Sequence, residues 1–273
     1  MGLVCPYSRT INVRCRRPDG VYFKKPTFLP CGKCYCCRHN LVNSWVSRFL
    51  CECKSSDFQL FVTLTYADEH LYYNDIFYPS VCKEHVQKFL KRFRKDLGFN
   101  TVRYYACAEY GGRTYRPHYH LLCFFTGVSL DQARQSIVKT WHFGHAHIVG
   151  VGIGALRYCA NFHVHKSSTP DGCDPTFTLM SRRPGIGGIY FDDRPNQFTS
   201  VNRRFTVHDG VKYPFGRYFH NRWMQQTGEV PPTKDFNYFD LFLDAYPDYM
   251  DYENAQTVSE IKNYLVNKRH NKL

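Results

Sequence analysis

VRYYACAEYGGRTYRPHYHLLCFF, residues 102–125, sets the architecture of this chain. Val102 to Glu109 and His118 to Phe125 read as strands, and the turn-rich YGGRTYRP between them folds the pair into an antiparallel hairpin. Side chains alternate across a strand, so His118 and His120 share one face while Tyr119 points away. The hairpin returns the carboxylate of Glu109 to a place beside His118. Two imidazoles and a carboxylate then form three sides of a divalent-metal site, with positions open for water and a phosphate oxygen. Mixed nitrogen and oxygen donors suit manganese or magnesium in a phosphate enzyme, although zinc binds more tightly on ligand type alone. A His-x-His pair by itself is more often packed or solvated than ligating; the carboxylate at the hairpin position distinguishes this one.

Outward from the hairpin, strands alternate with helices. Leu60 to Tyr66 (LFVTLTY) is a buried strand. Lys83 to Leu97 places Val86, Phe89, Leu90, Phe93 and Leu97 at helical spacing with basic residues between them, an amphipathic helix. Ser129 and Gln132 form a capping box, after which Leu130, Ala133, Ile137, Val138 and Trp141 make an apolar stripe. A strand near His145 to Val151 and a helix from about Ile153 to Lys166 follow. The fold class expected is α+β: a central antiparallel sheet with helices packed on it, and those helices on one face. In the last helix Tyr158, Asn161, Phe162 and His165 fall at i, i+3, i+4 and i+7 on one face. A tyrosine opposite a metal can attack phosphorus directly and conserve the phosphodiester energy for rejoining. A hydroxyl at position 162 would, on the same periodicity, reach the same phosphate.

Formal net charge is +13, the pI is near 9.1 and 17% of residues are aromatic, a balance that suits a phosphate backbone and stacked bases. No apolar run approaches the length of a membrane span, which predicts no membrane partner. Thirteen cysteines, several crowded within Cys31 to Cys37, fit a reduced, cytosolic compartment and metal binding better than a disulfide framework. Cys31, Cys34 and Cys37 form C-x-x-C-x-x-C, which can wrap one structural zinc; the fourth ligand is open among Cys5, Cys15 and Cys36. A helix from about Asn40 to Cys53 follows. In SRRPGIGG, Arg182 and Arg183 flank flexible glycines whose amides could grip phosphate, so this segment reads as DNA-contacting. No G-x-x-x-x-G-K-[ST] occurs, which excludes the common nucleotide-hydrolysing motor and leaves duplex opening to a host helicase.

These motifs resemble the replication initiators of small single-stranded DNA phages, microviruses of the gokushovirus type, within the HUH endonuclease superfamily. FVTLTYADEHL (Phe61 to Leu71) is similar to the family's first motif, EYGGRTYRPHYHLL (Glu109 to Leu122) to its metal motif and LRYCANFHVHK (Leu156 to Lys166) to its tyrosine motif. PCGKCYCC (Pro30 to Cys37) and FTLMSRRPGIG (Phe177 to Gly187) resemble further signatures of the phage group, over a span from about Cys5 to Trp223. The third motif departs from the family pattern of two tyrosines four apart with lysines on the same face. Phe162 stands at the second position, Asn161 and His165 at the lysine positions, and only Lys166 is basic in the lysine manner. Tyr158 would then act alone or with a second copy of the protein.

The resemblance implies an HUH endonuclease-like sheet plus an N-terminal cysteine-rich zinc-binding element in which Cys5 joins Cys31, Cys34 and Cys37. It implies metal-dependent nicking of single-stranded origin DNA by Tyr158 with Glu109, His118 and His120, giving a 5′-phosphotyrosine and a 3′-hydroxyl primer for rolling-circle replication. Arg116, Lys166, Arg182 and Arg183 are the expected DNA contacts. Host helicase and polymerase are the expected partners, homo-oligomerisation is open, and the location is the bacterial cytoplasm. The expected division is a cysteine-rich element and helix (1–55), the endonuclease core (56–170), a basic Gly/Arg-containing extension (171–232) and an acidic, aromatic appendage (233–273). A transposase or relaxase of the same superfamily, or a noncatalytic zinc-containing nucleic-acid binder, are the alternative readings.

Overall fold

A computed structural model of the chain describes residues 5, 7, 9–16, 20–98, 101–165, 169–194 and 205–227; Lys166 and the appendage 233–273 lie outside these residues. In chain order the elements are β1 (Arg9–Arg16), β2 (Tyr22–Leu29), α1 (Tyr35–Lys54), β3 (Phe58–Tyr66), α2 (Lys83–Leu97), β4 (Val102–Tyr110), β5 (Pro117–Phe125), α3 (Leu130–Thr140), β6 (Gly144–Gly150), α4 (Ile153–His165), β7 (Thr178–Met180), α5 (Gly188–Asp193), β8 (Phe205–His208), β9 (Val211–Pro214) and α6 (Arg217–Thr227). Contacts divide the chain into two compact units. One contains the β1–β2 hairpin and the cysteine-rich segment up to Leu41, and the other runs from Val42 to Pro231.

The second unit is built on a five-stranded antiparallel sheet in the order β6-β3-β5-β4-β7. Central strands β4 and β5 are buried on both faces, because alternate residues of each enter different cores. Ala106, Ala108, Leu121 and Cys123 pack with Val86, Phe89, Leu90 and Phe93 of α2 and with Ala133 and Ile137 of α3. Tyr105, Cys107, Leu122 and Phe124 pack on the other side with Val46 and Phe49 of α1 and with Leu156, Cys159 and Ala160 of α4. Helices therefore cover both faces, not one. The continuous apolar run LLCFF at the end of β5 carries the reason, since a strand buried on one side only would alternate with polar residues.

The amphipathic reading of α2 holds over its whole length, and the four buried side chains it contributes are each worth roughly 1.5–3 kcal/mol of transfer free energy. On α3 the capping box forms as the sequence predicts, but the buried stripe is Ala133, Ile137 and Trp141 while Leu130 and Val138 are exposed. At the start of β6, Gly144 adopts φ +153, and a Cβ there would stand 2.4 Å from the Thr65 carbonyl oxygen. Only glycine lets this edge strand close so tightly on the end of β3.

One buried polar contact fixes the position of β5. The Tyr119 hydroxyl meets the Tyr66 hydroxyl at 2.7 Å and accepts from the Cys82 amide at 2.7 Å, on the face away from His118 and His120. A one-residue slip of β5 would bury the two histidines and expel Tyr119, so this anchor sets which way the imidazoles point.

Candidate active site

The β4–β5 register pairs Glu109 with His118 and Cys107 with His120, placing all three candidate ligands on one sheet face at the open end of the hairpin. Their ligand atoms lie within 4.8 Å of one another. The Glu109 Oε2 atom is 3.9 Å from His118 Nε2 and 3.7 Å from His120 Nε2. Opposed ligands about 2.1 Å from a common ion stand at most about 4.2 Å apart, so both carboxylate–imidazole separations fit one small divalent cation.

Neighbouring groups orient the rings. His118 Nδ1 lies 3.2 Å from the Arg116 carbonyl, which can only accept; Nδ1 therefore carries the proton and Nε2 presents its lone pair to the site. His120 Nδ1 lies 3.0 Å from Thr63 Oγ1 on β3, and donation to that oxygen would free His120 Nε2 in the same way. Burial, and then the adjacent His118, lowers the His120 pKa to about 4, which keeps it neutral and able to ligate near pH 7.

Helix α4 crosses above this face and delivers Tyr158, whose hydroxyl donates to Glu109 Oε2. The Tyr158 ring is 41% exposed and stands edge-on to His120 at 5.1 Å between centroids. Burial, followed by the hydrogen bond to Glu109, raises its pKa well above the ordinary tyrosine value. The helix face inferred from spacing does not continue as expected: Asn161 and His165 are exposed beside Tyr158, but Phe162 is buried in the core shared by α1 and α4. The helix turns position 162 toward the sheet, so a hydroxyl there would enter the core rather than the open face.

Sequence reasoning missed Thr63, and it missed the edge-strand histidines. Thr65 pairs with His145 and Thr63 with His147 across β3 and β6, so both histidines project from the same face as His118 and His120 and are exposed. The His-x-His spacing in GHAHIVG was the available signal.

The other expected DNA contacts differ in their availability. Arg182 and Arg183 are exposed. The Arg116 guanidinium donates to the Tyr66 carbonyl at 2.8 Å and pairs with Asp68 at 2.7 Å. The phosphate grip expected from the glycine amides does not form at Gly187, whose amide donates to buried Glu52, or at Gly188, whose amide donates to Gly185. Glu52 also pairs with Arg103, and Arg48 donates to the Ile186 carbonyl while lying between the Trp45 and Tyr218 rings. This turn is therefore held from inside by α1.

In the first unit, Cys5, Cys31, Cys34 and Cys37 bring their sulfurs together in a cluster capable of holding a metal. The Cys31–Cys37 and Cys34–Cys5 separations are 3.9 and 3.7 Å, close to the roughly 3.8 Å between tetrahedral ligands at about 2.3 Å from zinc. Cys5 supplies the fourth sulfur of the cluster, and Cys36 is buried beside it without being part of it. Burial opposes ionisation of Cys31, but amide donors from Cys34 and Lys33 outweigh it and lower its pKa to about 7. Burial pushes Cys34 up and Cys37 up to about 11, so at those two sulfurs the thiolate a metal requires would have to be stabilised by the ion itself.

Fold and site together define an α+β protein with a carboxylate–histidine cluster and a tyrosine on one sheet face, plus a four-cysteine cluster. Residues 59–167 match the family described as replication-associated protein ORF2/G2P. The chain is 42% identical over 218 residues to the replication-associated protein ORF2 of Spiroplasma virus 4, a match covering 71% of this chain and 67% of that protein. It is 24% identical to the replication-associated protein VP4 of Bdellovibrio phage phiMH2K, covering 74% and 71%. It is also 24% identical to the replication-associated protein ORF4 of Chlamydia phage 1, covering 70% and 52%. The chain belongs to this family of replication-associated proteins of small single-stranded DNA phages. Among the described residues, no helix is long and apolar enough to cross a membrane.

Proposed function

We propose that this chain is a gokushovirus-type replication initiator, a metal-dependent tyrosine endonuclease and strand transferase that nicks single-stranded origin DNA. The observation that carries the reading is the hydrogen bond from Tyr158 to Glu109, which joins a nucleophile to one of three clustered ligand groups. A manganese or magnesium ion held by Glu109, His118 and His120 would polarise the scissile phosphate and favour ionisation of the tyrosine. Tyr158 supplies the attacking oxygen, aligned by Glu109, and loses its proton to water on the exposed side. A bond forms from its oxygen to phosphorus as the bond from phosphorus to the 3′ oxygen breaks. The departing oxygen takes a proton from water, giving a 5′-phosphotyrosine and a 3′-hydroxyl that primes rolling-circle synthesis. Zinc in the cysteine cluster, host helicase and polymerase as partners, and action in the bacterial cytoplasm belong to the same reading.

The test is incubation with end-labelled single-stranded origin DNA and manganese, followed by denaturing electrophoresis. The expected product is a protease-sensitive covalent adduct together with a free 3′ end that a polymerase extends. Tight DNA binding with no adduct at any metal concentration would overturn the reading.

A further inference from the structure

A strongly basic surface lies on the same sheet but away from the metal cluster. Tyr104 sits on β4 five residues before Glu109, roughly 17 Å along the strand, and by alternation its side chain projects from the opposite face. Two cavities flank Tyr104 and Arg94. The larger, about 610 Å³, is also bordered by Arg182 and Arg183, and the smaller, about 330 Å³, by Lys91 and Lys95 of α2. No acidic residue lines either one among the described residues.

Apart from Arg103, which also lines the larger cavity and pairs with Glu52, the cations here differ from their neighbours in being uncommitted. Nearby Lys88 pairs with Glu84, Lys139 pairs with Asp96, and Arg92 is bound to the Thr140 carbonyl. By contrast, Lys91, Arg94, Lys95, Arg182 and Arg183 form no ion pair with any described residue. Arg94 is positioned all the same: it donates to Ser181 Oγ at 3.3 Å and lies 4.9 Å above the Tyr104 ring. Like charges gathered without counter-charges raise one another's energy and recover it on meeting a polyanion. The aromatic surface is already in use, since Arg94 covers the Tyr104 ring, so the cavities offer charge rather than a stacking platform for unpaired bases.

We propose that these paired cavities form a second DNA site, which holds backbone phosphates of the DNA flanking the strand engaged at Tyr158. The inference rests on the nicking reading and adds a partner contact at the β4–β7 edge of the sheet and along α2, away from Tyr158, where it reads no sequence and lengthens the footprint of the protein. A contact of this kind strengthens binding to all sequences alike and steepens its dependence on salt.

The test uses the full chain and a 30-base-pair fluorescent duplex with a single-stranded extension, titrated across NaCl concentrations. Each phosphate contact contributes about −0.9 to the slope of log K against log salt. Lys91→Glu with Lys95→Glu, and separately Arg182→Glu with Arg183→Glu, should each make the slope shallower by about 1 to 2 and weaken binding at least tenfold at low salt, by the same rule. Arg182→Lys with Arg183→Lys should keep the wild-type slope, because charge rather than a forked hydrogen bond is what this site supplies. Lys88→Glu, on the same helix but outside the cavities, should change the slope by less than half of that amount. Unchanged slopes in both Glu pairs, or an equal effect from Lys88→Glu, would overturn the site. The two readings fail separately: an unchanged slope overturns this site even if the adduct forms, and a wild-type protein without an adduct overturns nicking even if the slopes shift as expected.

Discussion

The Tyr158 hydroxyl donates to Glu109, so the proposed nucleophile on α4 and a proposed metal ligand on β4 are in direct contact. The contact positions the tyrosine without activating it, since burial and the carboxylate both favour the neutral phenol. Tyr158→Phe removes this hydroxyl with almost no change in volume. Adduct formation should fall by about three orders of magnitude or more, to background, while the affinity for manganese and for DNA stays within about twofold. Gel analysis of the adduct beside calorimetric metal binding checks both halves. A persisting adduct would assign the chemistry to another tyrosine.

Phe162→Tyr tests the other position of the helix. Periodicity puts residue 162 on the face of Tyr158, but its side chain is buried among α1, α4 and the sheet. A new hydroxyl there would lose water without gaining an evident partner, at a cost of about 1–3 kcal/mol in stability. Thermal unfolding should show the loss, and the double variant with Tyr158→Phe should form no adduct. Recovery of cleavage in that double variant would mean that the helix can rotate in use.

Much of this arrangement was legible in the sequence, because strand alternation and hairpin closure are local rules. Glu109, His118 and His120 needed only the period of two and one turn to be brought together. The period of α2 and the capping box of α3 were equally local. What was not legible depends on distant chain. Phe162 is buried because α4 packs into a core that includes Trp45 and Phe49 of α1, more than a hundred residues earlier, and no helical spacing contains that information. Thr63 gains its role from a strand register set by the whole sheet. The amides of Gly187 and Gly188 looked available for phosphate until Glu52 and the Gly185 carbonyl were seen to occupy them. The β1–β2 and β8–β9 hairpins and the short edge strand β7 lacked the clean alternation that marks strands from sequence.

The cysteine cluster gives a prediction about stability rather than chemistry. Purified protein should carry about one tightly held zinc per chain, because four sulfurs at tetrahedral spacing bind it strongly. Cys34→Ser should release that zinc and lower the melting temperature, since metal affinity at such a site is also folding free energy. Elemental analysis and thermal unfolding with and without a chelator check this. Metal-free protein with wild-type stability would show that the thiols do not serve as ligands.

Thr63→Val addresses how the site selects a histidine tautomer. The His120 ring stacks on Phe61, at 5.4 Å between centroids, meets the Tyr158 and His118 rings edge-on, and places Nδ1 3.0 Å from Thr63 Oγ1. Valine keeps the branched shape but offers no oxygen, so the ring would stay roughly in place while Nδ1 loses its partner. The proton could then reside on Nε2, the nitrogen that must face the ion, and metal binding would first have to displace it. Loss of such an outer hydrogen bond typically costs about 10- to 100-fold in metal affinity. Manganese titration by calorimetry should show a fall of that size, with little change in melting temperature, and excess manganese should restore adduct formation. His120→Ala should not be restored in this way, because it removes the ligand itself. Wild-type manganese affinity in Thr63→Val would show that the ring contacts of His120 suffice to orient it without Thr63.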